Sequence, residues 1–156
     1  MISISKLISW FIIVNTDKQR QHPGTEKLTQ MKLMFLLYYV QGTFLALYGQ
    51  KAFSNDVVAW KYGPAVAVVH QRFRGKRFVT GTVTNEDDVN YRDVNQDDRL
   101  LKIVFEVQET FGNKTAAELS RQTMRERPWK VTPQSGVIAP EILADYFKKH
   151  IVEIDD

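Results

Sequence analysis

The chain has no cysteine in its 156 residues, which removes disulfides, thiolate zinc sites and thiol nucleophiles together and points to a reducing compartment. Its three histidines, His22, His70 and His150, stand far apart with no paired spacing of the kind that holds a metal. No glycine-rich phosphate loop or serine elbow occurs, and Gly75-Lys76 lacks the upstream glycine and downstream hydroxyl of a phosphate-binding loop. A strong charge of either sign is also missing. Lys and Arg number 21 against 18 Asp and Glu, and the formal charge of +3 permits attraction to nucleic acid or an acidic protein without demanding either. The composition therefore predicts a non-enzymatic, cytoplasmic protein with no metal and no cofactor.

Apolar residues are plentiful. At 44% hydrophobic content the chain can bury a core of its own, and its length fits a single domain over residues 1–156. The segment from Ile2 to Val14 is shorter than the ~20 apolar residues a spanning helix requires, and its serines and Lys6 interrupt it. Ile4, Leu7, Ile8, Phe11 and Ile12 follow helical spacing, so this stretch reads as a core-facing first helix, not as a signal or membrane segment.

The remaining chain is patterned as helices with short connections. Thr29 caps a helix running from Met31 to Tyr48, apolar on nearly every side and closed by Gly49, which marks it as the central element. Tyr62-Gly63-Pro64 reads as a turn that launches a helix, Pro64 having its φ preset for the first helical position, with an end near Phe73 or Arg74 at Gly75. The β-branched run Phe78 to Val83 predicts a short strand or hairpin near 78–84. Glu86 to Asp98 is polar and acidic and reads as a solvated loop. Further helices follow from Leu100 to Phe111, from a Thr115 cap through Met124, and from Pro140 to His150. The expected fold is a mainly α, compact helical domain of five or six helices, followed by a short acidic tail from Glu153 to Asp156.

One stretch is more specific than pattern. Leu33 through Tyr39, Gln41-Gly42, Leu45-Ala46-Leu47, Gly49, Phe53, Ala59-Trp60-Lys61-Tyr62-Gly63-Pro64, Val69 and Phe73 resemble, in order and spacing, the Panacea domain of SocA-like antitoxins, a family often found in phages and mobile elements. Leu119-Ser120 and Pro128-Trp129-Lys130 fit the same pattern, and the likeness extends from about Ile4 to Phe147. Relatives usually carry a proline after the threonine that opens the central helix, where this chain has Gln30.

The resemblance implies an antitoxin that binds and neutralises a partner toxin encoded beside it, with delivery of the toxin to a protease as the alternative mode. Trp60, Lys61, Tyr62, Gly63, Pro64 and Trp129 are then either partner-binding residues or structural ones. Two basic groups add a second reading, a nucleic-acid-binding regulator: Arg72, Arg74, Lys76 and Arg77, then Arg121, Arg125, Arg127 and Lys130. If they converge they form one positive face, whereas separate solvated faces are the commoner case for such clusters.

Overall fold

The computed structural model describes residues 1–152. The acidic tail expected from Glu153 onward lies outside them. The described chain is mainly helical, with elements in the order α1 (Ile4–Gln21), α2 (Gln30–Tyr48), β1 (Val58–Trp60), β2 (Gly63–Ala65), α3 (Ala67–Arg72), α4 (Asn85–Asn95), α5 (Asp98–Phe111), α6 (Ala116–Arg125), α7 (Arg127–Lys130) and α8 (Pro140–His150).

Helix α2 is the axis of the molecule, touching α1, α3, α5, α6, α8 and β2. Its start is fixed by Thr29, whose side chain accepts from the Lys32 N–H, and its end by Gly49 in the left-handed conformation at φ 66°. Leu33, Phe35, Leu36, Leu37, Tyr38, Tyr39 and Val40 are all buried, and each such large apolar side chain contributes about 1.5–3 kcal/mol relative to exposure. It is long and apolar enough to cross a membrane, but 83% of that apolar window is buried inside the protein.

Two glycine and glutamine positions of α2 explain their place in the sequence signature. Gln41 ties down the stretch after the helix: its Oε1 accepts from the Ala52 and Phe53 N–H groups at 2.8 and 3.3 Å, and its Nε2 donates to the Phe53 carbonyl at 2.8 Å. Gly42 lets α8 approach, because a Cβ there would stand 2.4 Å from the ring of Phe147. Tyr39 stacks on Phe111 of α5 with ring centroids 3.8 Å apart, which fixes the third side of the core.

Three expectations need correction. The acidic stretch 86–98 is not a loop: α4 forms within it, opened by a capping box in which Thr84 and Asp87 exchange side-chain and backbone hydrogen bonds. Its inward residues are Asp87, Asn90 and Val94. Ser9 of α1 donates to Asp87 Oδ1 at 2.7 Å and accepts from Asn90 Nδ2 at 3.0 Å, while Trp10 Nε1 donates to Asn95 at 2.9 Å. A helix that docks through hydrogen bonds leaves no apolar period to read.

The second correction is that Pro64 does not start a helix. It lies in β2 opposite Ala59, whose own N–H and C=O are turned the other way, to Gly136 O and Ser135 N. In an antiparallel ladder that makes Ala59–Pro64 the non-hydrogen-bonded pair, so proline's missing N–H costs no ladder bond. The helix begins only at Ala67. The third is that no strand pair forms at 78–84: Phe78 makes a single bridge to Thr29 and the Val79 N–H donates to Leu28 O. The one hairpin among the described residues is 58–65. Together with the short helix α7, these changes give eight helices among the described residues where the sequence predicts five or six.

Candidate partner-binding site

The hairpin β1–β2 carries the most specific residues of the sequence, and its shape follows from Gly63. That residue adopts φ +138°, a conformation that L side chains rarely adopt, and a Cβ on it would lie 2.7 Å from Phe35 Cε1 and 2.8 Å from Thr123 Oγ1. The turn therefore sits directly against α2 and α6. The Ser120 hydroxyl of α6 donates to the Tyr62 carbonyl, and the stretch 135–138 runs along the outer side of β1 through Ser135 N to Ala59 O, Ala59 N to Gly136 O and Ile138 N to Val57 O.

Trp129 closes the corner from the far side. Pro128 stands in the first turn of α7 and is buried, and the adjacent Trp129 indole Nε1 donates to the Trp60 carbonyl at 2.8 Å. Trp60 in turn meets His70 edge-on at 5.4 Å. Among the candidate site residues, Gly63 and Pro64 are buried, Trp60 and Trp129 are half-buried with the Trp129 indole held on the Trp60 backbone, and Lys61 and Tyr62 project from the turn, Tyr62 with 57% of its surface exposed. The Lys61 ammonium lies 5.3 Å from the centre of the Tyr62 ring.

Beside this tip opens a cavity of about 370 Å³ walled by Met31, Met34 and Phe35 of α2, by the hairpin, and by Gln134 and Ser135. Ser135 holds φ 66° without being glycine, a left-handed conformation that is retained where the chain must turn along the cavity. Met31, Met34, Gln134 and Ser135 were not singled out as site residues. The methionines read as core on a helix apolar all round, and nothing local marks a turn as one wall of a cavity made by residues a hundred positions away.

The departure at Gln30 has a structural account. Its N–H donates to Arg77 O at 3.0 Å, a bond that proline cannot make. Its Nε2 donates to the Phe73 and Lys76 carbonyls at 3.2 and 2.7 Å, and its Oε1 meets His70 Nδ1 at 3.0 Å. Gln30 thereby ties the basic stretch after α3 to the start of the central helix.

The basic groups are brought only partly together. Arg72, Arg74, Lys76, Arg77, Arg121, Arg125, Arg127 and Lys130 are all exposed, and among the described residues none forms an ion pair. Arg72 acts on Asp87 at the start of α4, helping the Ser9 and Thr84 hydrogen bonds to hold that carboxyl low against its burial. Arg77 instead faces a second cavity, of about 510 Å³, bounded on its other side by Thr115, Ala116 and Ala117. Arg121 follows Ala117 by one turn on α6 and shares its stripe.

Beneath the corner lies a buried carboxylate. Glu126, at the break between α6 and α7, accepts from the Tyr38 and Tyr39 hydroxyls at 2.9 Å each, and Gln122 Nε2 donates to the Tyr39 oxygen at 2.7 Å. Burial pushes the Glu126 carboxyl up while these hydrogen bonds pull it down, with the net shift upward. Burial, together with that carboxylate, raises both phenols well above their ordinary range. Lys32 is buried as well and donates to the Gly112 carbonyl at the end of α5 at 2.8 Å; desolvation lowers its pKa. The arrangement offers rigid support, and neither group lines the cavity at the hairpin.

The model of the family described as Antitoxin SocA-like, Panacea domain, matches residues 33–130. The chain belongs to this family. The matched span takes in α2 from Leu33 onward, the hairpin, α3 to α6 and the whole of α7, so the corner contacts from Phe35 to Trp129 fall inside it, while the stretch 135–138 that borders β1 lies beyond it. No curated protein and no solved structure matches the chain. Among the described residues no group of three or more His, Cys, Asp or Glu is placed to hold a metal ion.

Proposed function

We propose that this protein is a non-enzymatic antitoxin that neutralises a toxin encoded by an adjacent gene through direct binding in the cytoplasm, as part of a toxin–antitoxin system of phage or mobile-element type. Membership of the SocA-like Panacea family supports the antitoxin role in general. The observation that carries the binding mode is the exposed Lys61-Tyr62 tip beside an open apolar cavity, since tyrosine next to a concave apolar surface is the usual make-up of an interface anchor. Neutralisation is then complex formation, with an interface exceeding about 1,000 Å² if the complex is stable.

Co-expression with the adjacent gene product should restore growth, and the two proteins should co-purify at moderate salt, because a largely apolar contact is little screened. Rescue without a detectable complex would replace blocking with another mechanism, such as delivery to a protease. A harmless neighbour would remove the reading altogether.

A further inference from the structure

The cavity at the hairpin and the cavity beside Arg77 share Met31 as a common wall. Taken together they line a path from Ser135 past Met31 to Ala117. Each has the size of a small-ligand pocket, which spans roughly 300–1,000 Å³. Its floor is Met31, Met34 and Phe35, and methionine walls adapt to side chains of differing shape.

The ends of the groove repeat one device. At one end Lys61 lies over the exposed Tyr62; at the other Lys27 and Arg77 lie over Phe78, at 5.7 and 5.3 Å from its ring centre, with 41% of that residue exposed. None of these three cations has a carboxylate partner among the described residues. The single acid among the described residues that line it, Glu26, is engaged by the Ala116 N–H at 3.4 Å. The groove is therefore apolar along its floor and positive at both ends, and what complements it is apolar and negative.

Resting on the neutralisation reading, we infer that this groove receives a short acidic segment of the partner, with a large apolar side chain in each cavity and carboxylates against Lys61 at one end and Lys27 and Arg77 at the other. A nucleic acid fits less well: its phosphates gain three cations but meet Glu26, and the Met31 and Met34 walls stay unfilled. A second copy of the chain would bring its own positive ends against these.

The test selects a random peptide display library on the folded full-length protein. Two variants are run in parallel, each with its melting temperature measured: the surface pair Lys61→Glu with Arg77→Glu, and Met31→Asp. Peptides rich in Asp or Glu with two large apolar residues should emerge, and should bind wild type at least about tenfold more tightly than either variant. The charge-reversed pair, altered only at exposed positions, keeps the test valid if Met31→Asp unfolds. Selected peptides with no acidic excess, or equal binding to wild type and the charge-reversed pair, would overturn the proposal. So would an oligothymidylate that binds wild type and displaces the peptides, which would assign the groove to nucleic acid.

The adjacent gene product, titrated on the same proteins, separates the two claims. Equal affinity for wild type and variants leaves neutralisation standing and removes the groove as its seat. A neighbour that is neither toxic nor bound removes neutralisation, while the peptide selection still decides what the groove accepts.

Discussion

Replacing Gly42 by alanine should destabilise the protein even though alanine is the better helix former. The new Cβ would stand 2.4 to 2.5 Å from three atoms of the Phe147 ring, well inside contact distance. That ring is fully buried and hemmed in by Tyr38, Tyr39 and Tyr146, at centroid distances of 5.4, 5.9 and 6.0 Å, so it cannot swing aside. Overpacking of this kind costs about 1–3 kcal/mol, and contacts this short place it at the upper end. Alanine returns about 1 kcal/mol of helix propensity, which leaves a net loss of about 2 kcal/mol. For a chain of this size that corresponds to a fall in Tm of roughly 4–8 °C. The deciding assay is a pair of urea and thermal titrations in two backgrounds. With Phe147→Leu the obstruction is gone, and Gly42→Ala should turn neutral or stabilising by up to about 1 kcal/mol. The same loss in both backgrounds would refute the argument that Phe147 is what Gly42 accommodates.

Two further outcomes follow from the corner and its support. Gly63→Val should cost at least about 2 kcal/mol, since it adds a β-branched side chain at φ +138° against Phe35 and Thr123; an unchanged urea midpoint would show that the turn relaxes freely. Glu126→Gln should alter the pH dependence of stability. The folded carboxyl titrates above its ordinary value near 4.5, so its stabilising contribution is fully present below that value and is lost as pH rises through the folded pKa. The glutamine variant, neutral throughout, has nothing to lose, so wild type should weaken relative to it as pH rises from about 4.5 toward neutrality. Parallel stability curves would show that Glu126 does not titrate in that window.

Much of the helical frame was legible because it is built from apolar period and local caps. Thr29, Gly49, Thr115 and Pro140 mark ends through bonds or dihedrals within a few residues of themselves, and the α5 face of Leu100, Ile103, Val104, Val107 and Phe111 is a plain helical stripe. Helix α4 was not legible, because its inward face is Asp87, Asn90 and Val94 and its partner Ser9 lies 78 positions away from Asp87. The hairpin was misplaced for a related reason. Proline's helix-starting preference is local, and it yielded to a register in which Pro64 meets Ala59 at the one kind of ladder position that needs no N–H.

By itself the sequence determined the helical class, the absence of any thiol, and membership of the Panacea family through residues whose order and spacing are properties of the chain. Only the tertiary structure decided which of those residues are exposed. Trp129 spends its indole N–H on the Trp60 carbonyl, 69 positions away, while Tyr62 is left exposed over a cavity whose walls come from α2, the hairpin and the turn at Ser135. The physical reason is that exposure belongs to no residue alone. It is set by what the folded chain brings against each side chain, and those neighbours lie too far along the sequence for any local pattern to record.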